Sequence, residues 1–207
     1  MPRNRRLPPI PGTGVPPRGL FISRWKALLD VRGLEALPHR AATALSPDAL
    51  ALLFRAAQQG WQIYLIGNEP GVAAGRVSDE RWEAFRAELD ALLAAQGVPL
   101  RRHYACLDDV AGKGKHRRDS VFQFPNTGVL YHAAQEDGIE LGESWLVSAE
   151  TDELAAAWRA GVRTLALDGQ GSTGKQASEL QVEPTLRGAD LTRGLRALLA
   201  LDPLARV

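Results

Sequence analysis

Short apolar runs alternate with helix-period segments along most of this chain, and that alternation constrains the fold more than any other feature. Gly19 to Ile22, Trp61 to Ile66, Leu100 to Cys106, Trp145 to Val147 and Arg163 to Leu167 read as five strands. Between them lie helix signals. Ser46-Pro47 is a good start, with serine at the cap and proline in the first turn. Leu45 and Leu50 stand at the spacing of a hydrophobic staple. Leu50, Leu53, Phe54 and Ala57 repeat on one face, and Gly60 ends the helix. Trp82, Phe85, Leu89, Leu92 and Leu93 mark a long amphipathic helix that stops near Gly97. Gly128 to Ala134 reads as helical. Thr151 is expected to cap a helix through Leu154 and Trp158 that closes at Gly161, and Asp190 to Leu199 forms the last helix. Trp61, Trp82, Trp145 and Trp158 are assigned to core packing. Alternating strands and helices predict an α/β fold, a parallel sheet with helices on both faces. Ligands of such sheets bind beyond the carboxyl ends of the strands.

The chain has 207 residues, enough for one domain and a short appendage. Residues 1–18 carry six prolines, four arginines and no acid, so they read as an extended arm, with the domain spanning 19–207. The arm is either a disordered terminus or a tether, with Arg3, Arg5 and Arg6 offered to an anionic partner or another subunit. Net charge is +1, which does not favour a dedicated nucleic-acid binder. No run approaches the roughly 20 apolar residues of a membrane span, and no export signal opens the chain, so a cytoplasmic location is expected. The single cysteine, Cys106, excludes an internal disulfide and any multi-cysteine metal site.

The residues after the strands carry the functional signal. They read Phe21-Ile22-Ser23-Arg24-Trp25-Lys26-Ala27, then Gly67-Asn68-Glu69-Pro70-Gly71-Val72-Ala73-Ala74-Gly75, then Ser148-Ala149-Glu150-Thr151-Asp152-Glu153. In order, spacing and flanking text this layout resembles the haloacid-dehalogenase-like (HAD) phosphatases. The match is to the nearly cap-less branch that includes heptose-bisphosphate and histidinol-phosphate phosphatases, over Gly19 to Leu199. The resemblance implies a Rossmann-like three-layer sandwich around a mostly parallel five-stranded sheet. It also implies an aspartate nucleophile and an aspartate acid/base after the first strand, where this chain has Ser23 and Trp25. A phosphate-gripping hydroxyl is implied where Gly67 stands, while Asn68, Gly71 and Gly75 remain. The charge-neutralising lysine falls on Phe124, within Gln123-Phe124-Pro125-Asn126-Thr127-Gly128. The magnesium motif falls on Ser148-Ala149, with Glu153 at its far acidic position. Magnesium prefers hard oxygen ligands, and Ser23 and Ala149 replace two of them. A zinc loop with a Cys-x-His start and a Cys-x-Cys end is reduced to Cys106-Leu107-Asp108 and Ser120-Val121-Phe122, so zinc is not expected.

These replacements point to a catalytically inactive phosphatase-like protein that acts as a binding, scaffold or regulatory module, with a protein partner or self-association. Arg24, Asn68, Glu69, Glu153 and Lys175 are the candidate residues of a remnant cleft. Glu69 places a negative charge where a phosphate would approach. Trp25 and Phe124 are expected to fill the site or make it an apolar pocket. One alternative is a divergent phosphatase acting on a phosphorylated sugar or another small phosphomonoester. A weaker one is a nucleic-acid accessory protein using the arm and the basic loop Lys113 to Arg118. Gly169 to Lys175 fits Gly-x4-Gly-Lys, yet Gln176 replaces the Ser or Thr that a phosphate loop requires, so it reads as a flexible loop.

Overall fold

The computed structural model describes residues 16–31, 33–36, 45–168 and 183–201. Residues 1–15 of the arginine arm, Arg3, Arg5 and Arg6 included, and the Gly169 to Lys175 loop lie outside the described residues, whereas Arg18, assigned to the arm, is buried as the first residue of the first strand. The elements run β1 (Arg18–Ser23), α1 (Pro47–Gln58), β2 (Trp61–Ile66), α2 (Pro70–Ala73), α3 (Asp79–Ala95), β3 (Leu100–His103), α4 (Gly128–Asp137), β4 (Trp145–Ser148), α5 (Thr151–Arg159), β5 (Arg163–Leu167), β6 (Leu186–Gly188) and α6 (Leu191–Leu201). One six-stranded sheet has the order β3-β2-β1-β4-β5-β6, and every pairing is parallel.

The strands are apolar because both faces are covered. Successive side chains of β1 point to opposite layers. Leu20 and Ile22 join Ile63, Leu65 and Val147 beneath α1, α3 and α6. Phe21 joins Tyr64, Ile66 and Leu146 beneath α4 and α5, its ring stacked on Tyr64 at 4.7 Å between centroids. Each such buried side chain contributes about 1.5–3 kcal/mol. The helix signals act locally. Ser46 Oγ accepts from Ala49 N at 3.4 Å, Ser78 Oγ accepts from Arg81 N at 3.2 Å, and Gly60 and Gly97 take φ of 83° and 72° just past α1 and α3.

Four expectations are corrected. The sheet has six strands, because β6 is a three-residue, half-exposed edge strand whose Leu-Arg-Gly text carries no apolar run. β3 ends at His103, three residues short of Cys106. Glu150, with no side-chain cap bond, precedes α5, and Thr151 is its first helical residue. Trp158 is 60% exposed, whereas Trp61, Trp82 and Trp145 are buried. The stripe that α5 buries is Glu153, Ala155, Ala156 and Ala157.

Strand order also places the cleft. Consecutive crossovers from β1 run outward to β2 and β3, and the chain then returns to lay β4 on the other side of β1. The connections after β1 and β4 therefore diverge, leaving a crevice over their carboxyl ends.

Candidate functional site

The tips of β1, β2 and β4 converge on one crevice, and each tip presents an unusual polar residue. Ser23 ends β1 fully buried, its hydroxyl donating to the Trp25 carbonyl at 3.0 Å. The chain then turns tightly, with Leu28 N and Leu29 N donating to the carbonyls of Ser23 and Arg24. Lys26 sits in the left-handed region at φ 60°, a conformation costing a non-glycine residue about 1–2 kcal/mol. Its Nζ meets Glu150 Oε1 at 2.6 Å.

Arg24 turns inward and is fully buried. Its Nε donates to Glu69 Oε1 at 2.9 Å, its Nη2 reaches the same oxygen, and its Nη1 lies 2.7 Å from His103 Nε2. The guanidinium also lies over the Trp82 ring, 4.7 Å from its centroid. Glu69 Oε1 accepts a further bond from Trp25 Nε1 at 2.9 Å. Burial raises the Glu69 carboxyl above its ordinary value, against the opposing pull of the Arg24 charge and hydrogen bonds and of the Trp25 indole. Burial likewise lowers His103 to about 4, so its ring is neutral. The hydrogen bonds then assign the tautomer: Nδ1 donates to Asp90 Oδ1 at 2.6 Å, and Nε2 accepts from Arg24. Gly67 makes room for this arrangement, because a Cβ there would stand 3.2 Å from Arg24 Nη2.

On the β4 side, Ser148 Oγ donates to Glu153 Oε2 at 2.6 Å and accepts from Glu150 N at 2.8 Å. Burial raises Glu153 to about 7, against the opposing pull of the Ser148 and Ser23 hydroxyls. Asn68 is bound in a backbone clasp: Nδ2 donates to the Phe124 carbonyl and Oδ1 accepts from Phe124 N, both at 2.9 Å. The cavity left at the tips is about 200 Å³, bordered by Trp25, Asn68, Pro70, Phe124, Glu150, Asp152 and Glu153. Trp25 and Phe124 border it as buried walls, and Trp25 stacks on Phe85 at 5.4 Å. Ala149 is buried and offers no side-chain donor.

Of the expected cleft residues, the structure brings Arg24, Asn68, Glu69 and Glu153 together. It turns the first three toward protein partners. Sequence reasoning gave neither Asp90 nor His103 a place at the crevice. Neither residue follows an apolar run into the crevice, so no strand-end signal marks them. The basic loop is also internally matched. Asp108 takes His116 Nδ1 at 3.2 Å and Arg118 Nε at 2.7 Å, while Asp79 takes His116 Nε2 at 2.7 Å and pairs with Lys115. Cys106 is buried, and burial pushes its thiol up.

The likeness to known proteins lies in the sequence over part of the chain and in the fold. A Pasteurella multocida (strain Pm70) protein named D-glycero-beta-D-manno-heptose-1,7-bisphosphate 7-phosphatase is 26% identical over 140 residues, covering 67% of this chain and 76% of its own. The Haemophilus influenzae protein of the same name is 29% identical over 99 residues, which are 48% of this chain and 54% of that one. This chain thus spans about half the length of some of the relatives it matches. The crystal structure of D,D-heptose 1,7-bisphosphate phosphatase from B. bronchiseptica, complexed with magnesium and phosphate, superposes with a TM-score of 0.72. It is 19% identical and covers 89% of this chain and 99% of that one. The chain resembles the heptose-bisphosphate branch of the HAD-like phosphatases. Its sheet and helices are those of the HAD-like fold. No family model matches the sequence.

Magnesium accompanies that HAD-like neighbour, and the donors at the strand tips here do not fit it. The Ser23 hydrogen is directed to the Trp25 carbonyl, Ala149 has no side-chain oxygen to offer, Glu150 is held by Lys26, and Glu153 is held by Ser148 in a site that disfavours its charge. Among the described residues no group of three His, Cys, Asp or Glu side chains converges to hold a metal ion, and the Cys106 loop offers zinc a single thiol. Among the described residues no helix is long and apolar enough to cross a membrane.

Proposed function

We propose that this chain is a HAD-like phosphatase fold used as a catalytically inactive binding module. The observation that carries this reading is the tip of β1. Where the resemblance implies an aspartate nucleophile and an aspartate acid/base, Ser23 is sealed and bonded to the Trp25 carbonyl, and Trp25 is packed on Phe85. An indole cannot relay a proton at neutral pH, and general acid–base catalysis alone contributes about 10²–10⁴-fold. The lysine position holds the buried ring of Phe124, so the developing charge of phosphoryl transfer meets no cation there. A protein partner, or a second copy of the chain, is the ligand class this reading favours. The nucleic-acid reading is weakened by the internal pairing of Lys115, His116 and Arg118.

The second reading is a divergent phosphatase acting on a phosphorylated sugar. The comparisons favour it over the first, since the curated relatives are named heptose-bisphosphate phosphatases. The test is phosphate release from heptose 1,7-bisphosphate by the purified chain, with and without magnesium. The inactive reading expects release at the background rate, unchanged in Asn68→Ala. Magnesium-dependent, saturable release would replace it with the phosphatase reading.

A further inference from the structure

The crevice contains a charge arrangement that neither reading uses. Arg24 is the one guanidinium among the described residues at the tips of β1, β2 and β4, and it is fully buried. Arginine there offers a planar fork suited to a carboxylate or a phosphate. In this chain the fork is already occupied. Glu69 Oε1 takes Arg24 Nε and Nη2 together, and the Trp25 indole completes the ring of donors around the same oxygen. The remaining donor, Nη1, is directed to His103 Nε2, with the Tyr104 carbonyl 3.4 Å away. Lys26, the other cation at the tips, is taken by Glu150.

We propose that Glu69 acts as a built-in anion and is the residue that determines the cleft's specificity. Its carboxylate occupies the Arg24 fork, excludes inorganic phosphate and phosphomonoesters from the strand tips, and leaves the cavity with acidic side chains as the ionisable groups of its lining. The placement supports this. Glu69 is buried directly behind the cavity wall, flanked in the chain by Asn68 and Pro70 and bonded through Oε1 to the indole of Trp25, three residues that border that space. On the rim, Asp152 adds repulsion to any anion that enters, and Glu150 holds Lys26, the other cation at the tips. An isolated buried guanidinium is costly, and the group that compensates it decides what else can approach. Removing the one carboxylate therefore converts the site from anion-excluding to anion-seeking.

The inference rests on the inactive reading, since a working phosphatase must admit phosphate to these tips. The experiment measures inorganic phosphate binding by calorimetry and by thermal shift, on the full chain at constant ionic strength. Four proteins are compared: wild type, Glu69→Gln, Glu69→Ala, and Arg24→Gln combined with Glu69→Gln. Glu69→Gln keeps the shape and removes the charge, so it serves where the alanine variant fails to fold. The expected result is no saturable binding to wild type. The single variants bind phosphate at least tenfold more tightly, their melting temperature rises with phosphate by mass action, and the double variant loses the gain. Saturable phosphate binding to wild type would overturn the inference. So would a folded Glu69→Gln variant with no gain, or a gain that persists without Arg24. Phosphate release from heptose 1,7-bisphosphate is followed in parallel. Turnover by wild type removes the inactive reading itself, whereas an inert wild type with an unresponsive Glu69→Gln removes only the role of Glu69.

Discussion

Two carboxyl groups are buried near the strand tips, Glu69 after β2 and Glu153 at the start of α5, and they are almost equally buried, at 3% and 4% exposed. Burial alone pushes both upward. They differ in what lies against them. Glu69 has a guanidinium and an indole N–H, so its charged form is compensated. Glu153 has hydroxyls, which pull in the same direction with less force, and it is raised to about 7. Burial holds both carboxyls above the ordinary value, opposed at Glu69 by a direct ion pair and an indole N–H and at Glu153 by hydroxyls with a weaker pull from the Arg24 charge.

The largest effect is expected from breaking the compensated side. Arg24→Met leaves Glu69 buried without its cation and removes the donor to His103. Breaking a buried pair in this way costs about 3–5 kcal/mol. Urea unfolding at neutral pH should show that loss. Adding Glu69→Gln should recover part of it, because the orphaned charge is then gone and the two substitutions couple. A double variant as unstable as the sum of its parts would mean the two residues do not act as a pair.

The next effect sharpens the titrating side. Native Glu153 holds its proton up to about 7, whereas the ordinary value is 4.5. Between these values the native chain keeps a proton that the unfolded chain has released, so stability falls as pH rises, by about 3 kcal/mol across the window. His103 works in the opposite direction. Its native value is about 4 against an ordinary 6.5, so the unfolded chain gains a proton first as pH falls, and stability is lost toward acid. The two slopes oppose each other where the windows overlap, and wild type should be nearly level there as far as these groups are concerned. Glu153→Gln should unmask His103, giving stability that climbs with pH. His103→Gln should unmask Glu153 and give the reverse. A pH series of urea midpoints reads both, and identical slopes in the two variants would remove the assignment.

The degree to which this was legible in the sequence follows from what encodes each part. β1, β2 and β5 are covered on both faces, so their text is a continuous apolar run and reads directly. β6 has three residues at an edge, half exposed, and leaves no such trace. Leu154 and Trp158 stand at helical spacing and suggested a buried stripe. α5 buries three alanines and Glu153 instead, and a stripe of small residues is weak evidence in a hydrophobicity pattern. At the site, the identities at Ser23, Trp25 and Ala149 were readable because each stands within two residues of a strand end, and Phe124 was readable from the Gln123 to Gly128 text just ahead of α4. The direction of Arg24 was not. Its partner Glu69 is 45 residues away, and His103 is 79 away, so the contact exists only after the sheet has formed. The sequence presented Glu69 as an unopposed charge facing the cleft, and the fold supplied the opposing charge from within.

The smallest effect tests whether a hydroxyl can stand in for a cation. Ser148→Ala removes the donor to Glu153 Oε2 and the acceptor for Glu150 N. Losing a hydrogen bond of this kind costs about 1 kcal/mol. The cost should depend on pH, because the hydroxyl favours the charged form of Glu153. Below the native titration of that group, the protonated carboxyl needs little from Ser148, and the variant should differ from wild type by the Glu150 bond alone. Above it, the carboxylate loses its nearest donor, the deficit should grow, and Glu153 should titrate at still higher pH. Combining Ser148→Ala with Glu153→Gln should abolish the growth while leaving the acid-side deficit. A deficit constant across pH would mean that Ser148 serves the backbone at the start of α5 and not the carboxylate. Burial with little hydroxyl help would then account for the height at which Glu153 titrates, and the contrast with Glu69 would rest on the direct Arg24 pair and the Trp25 indole.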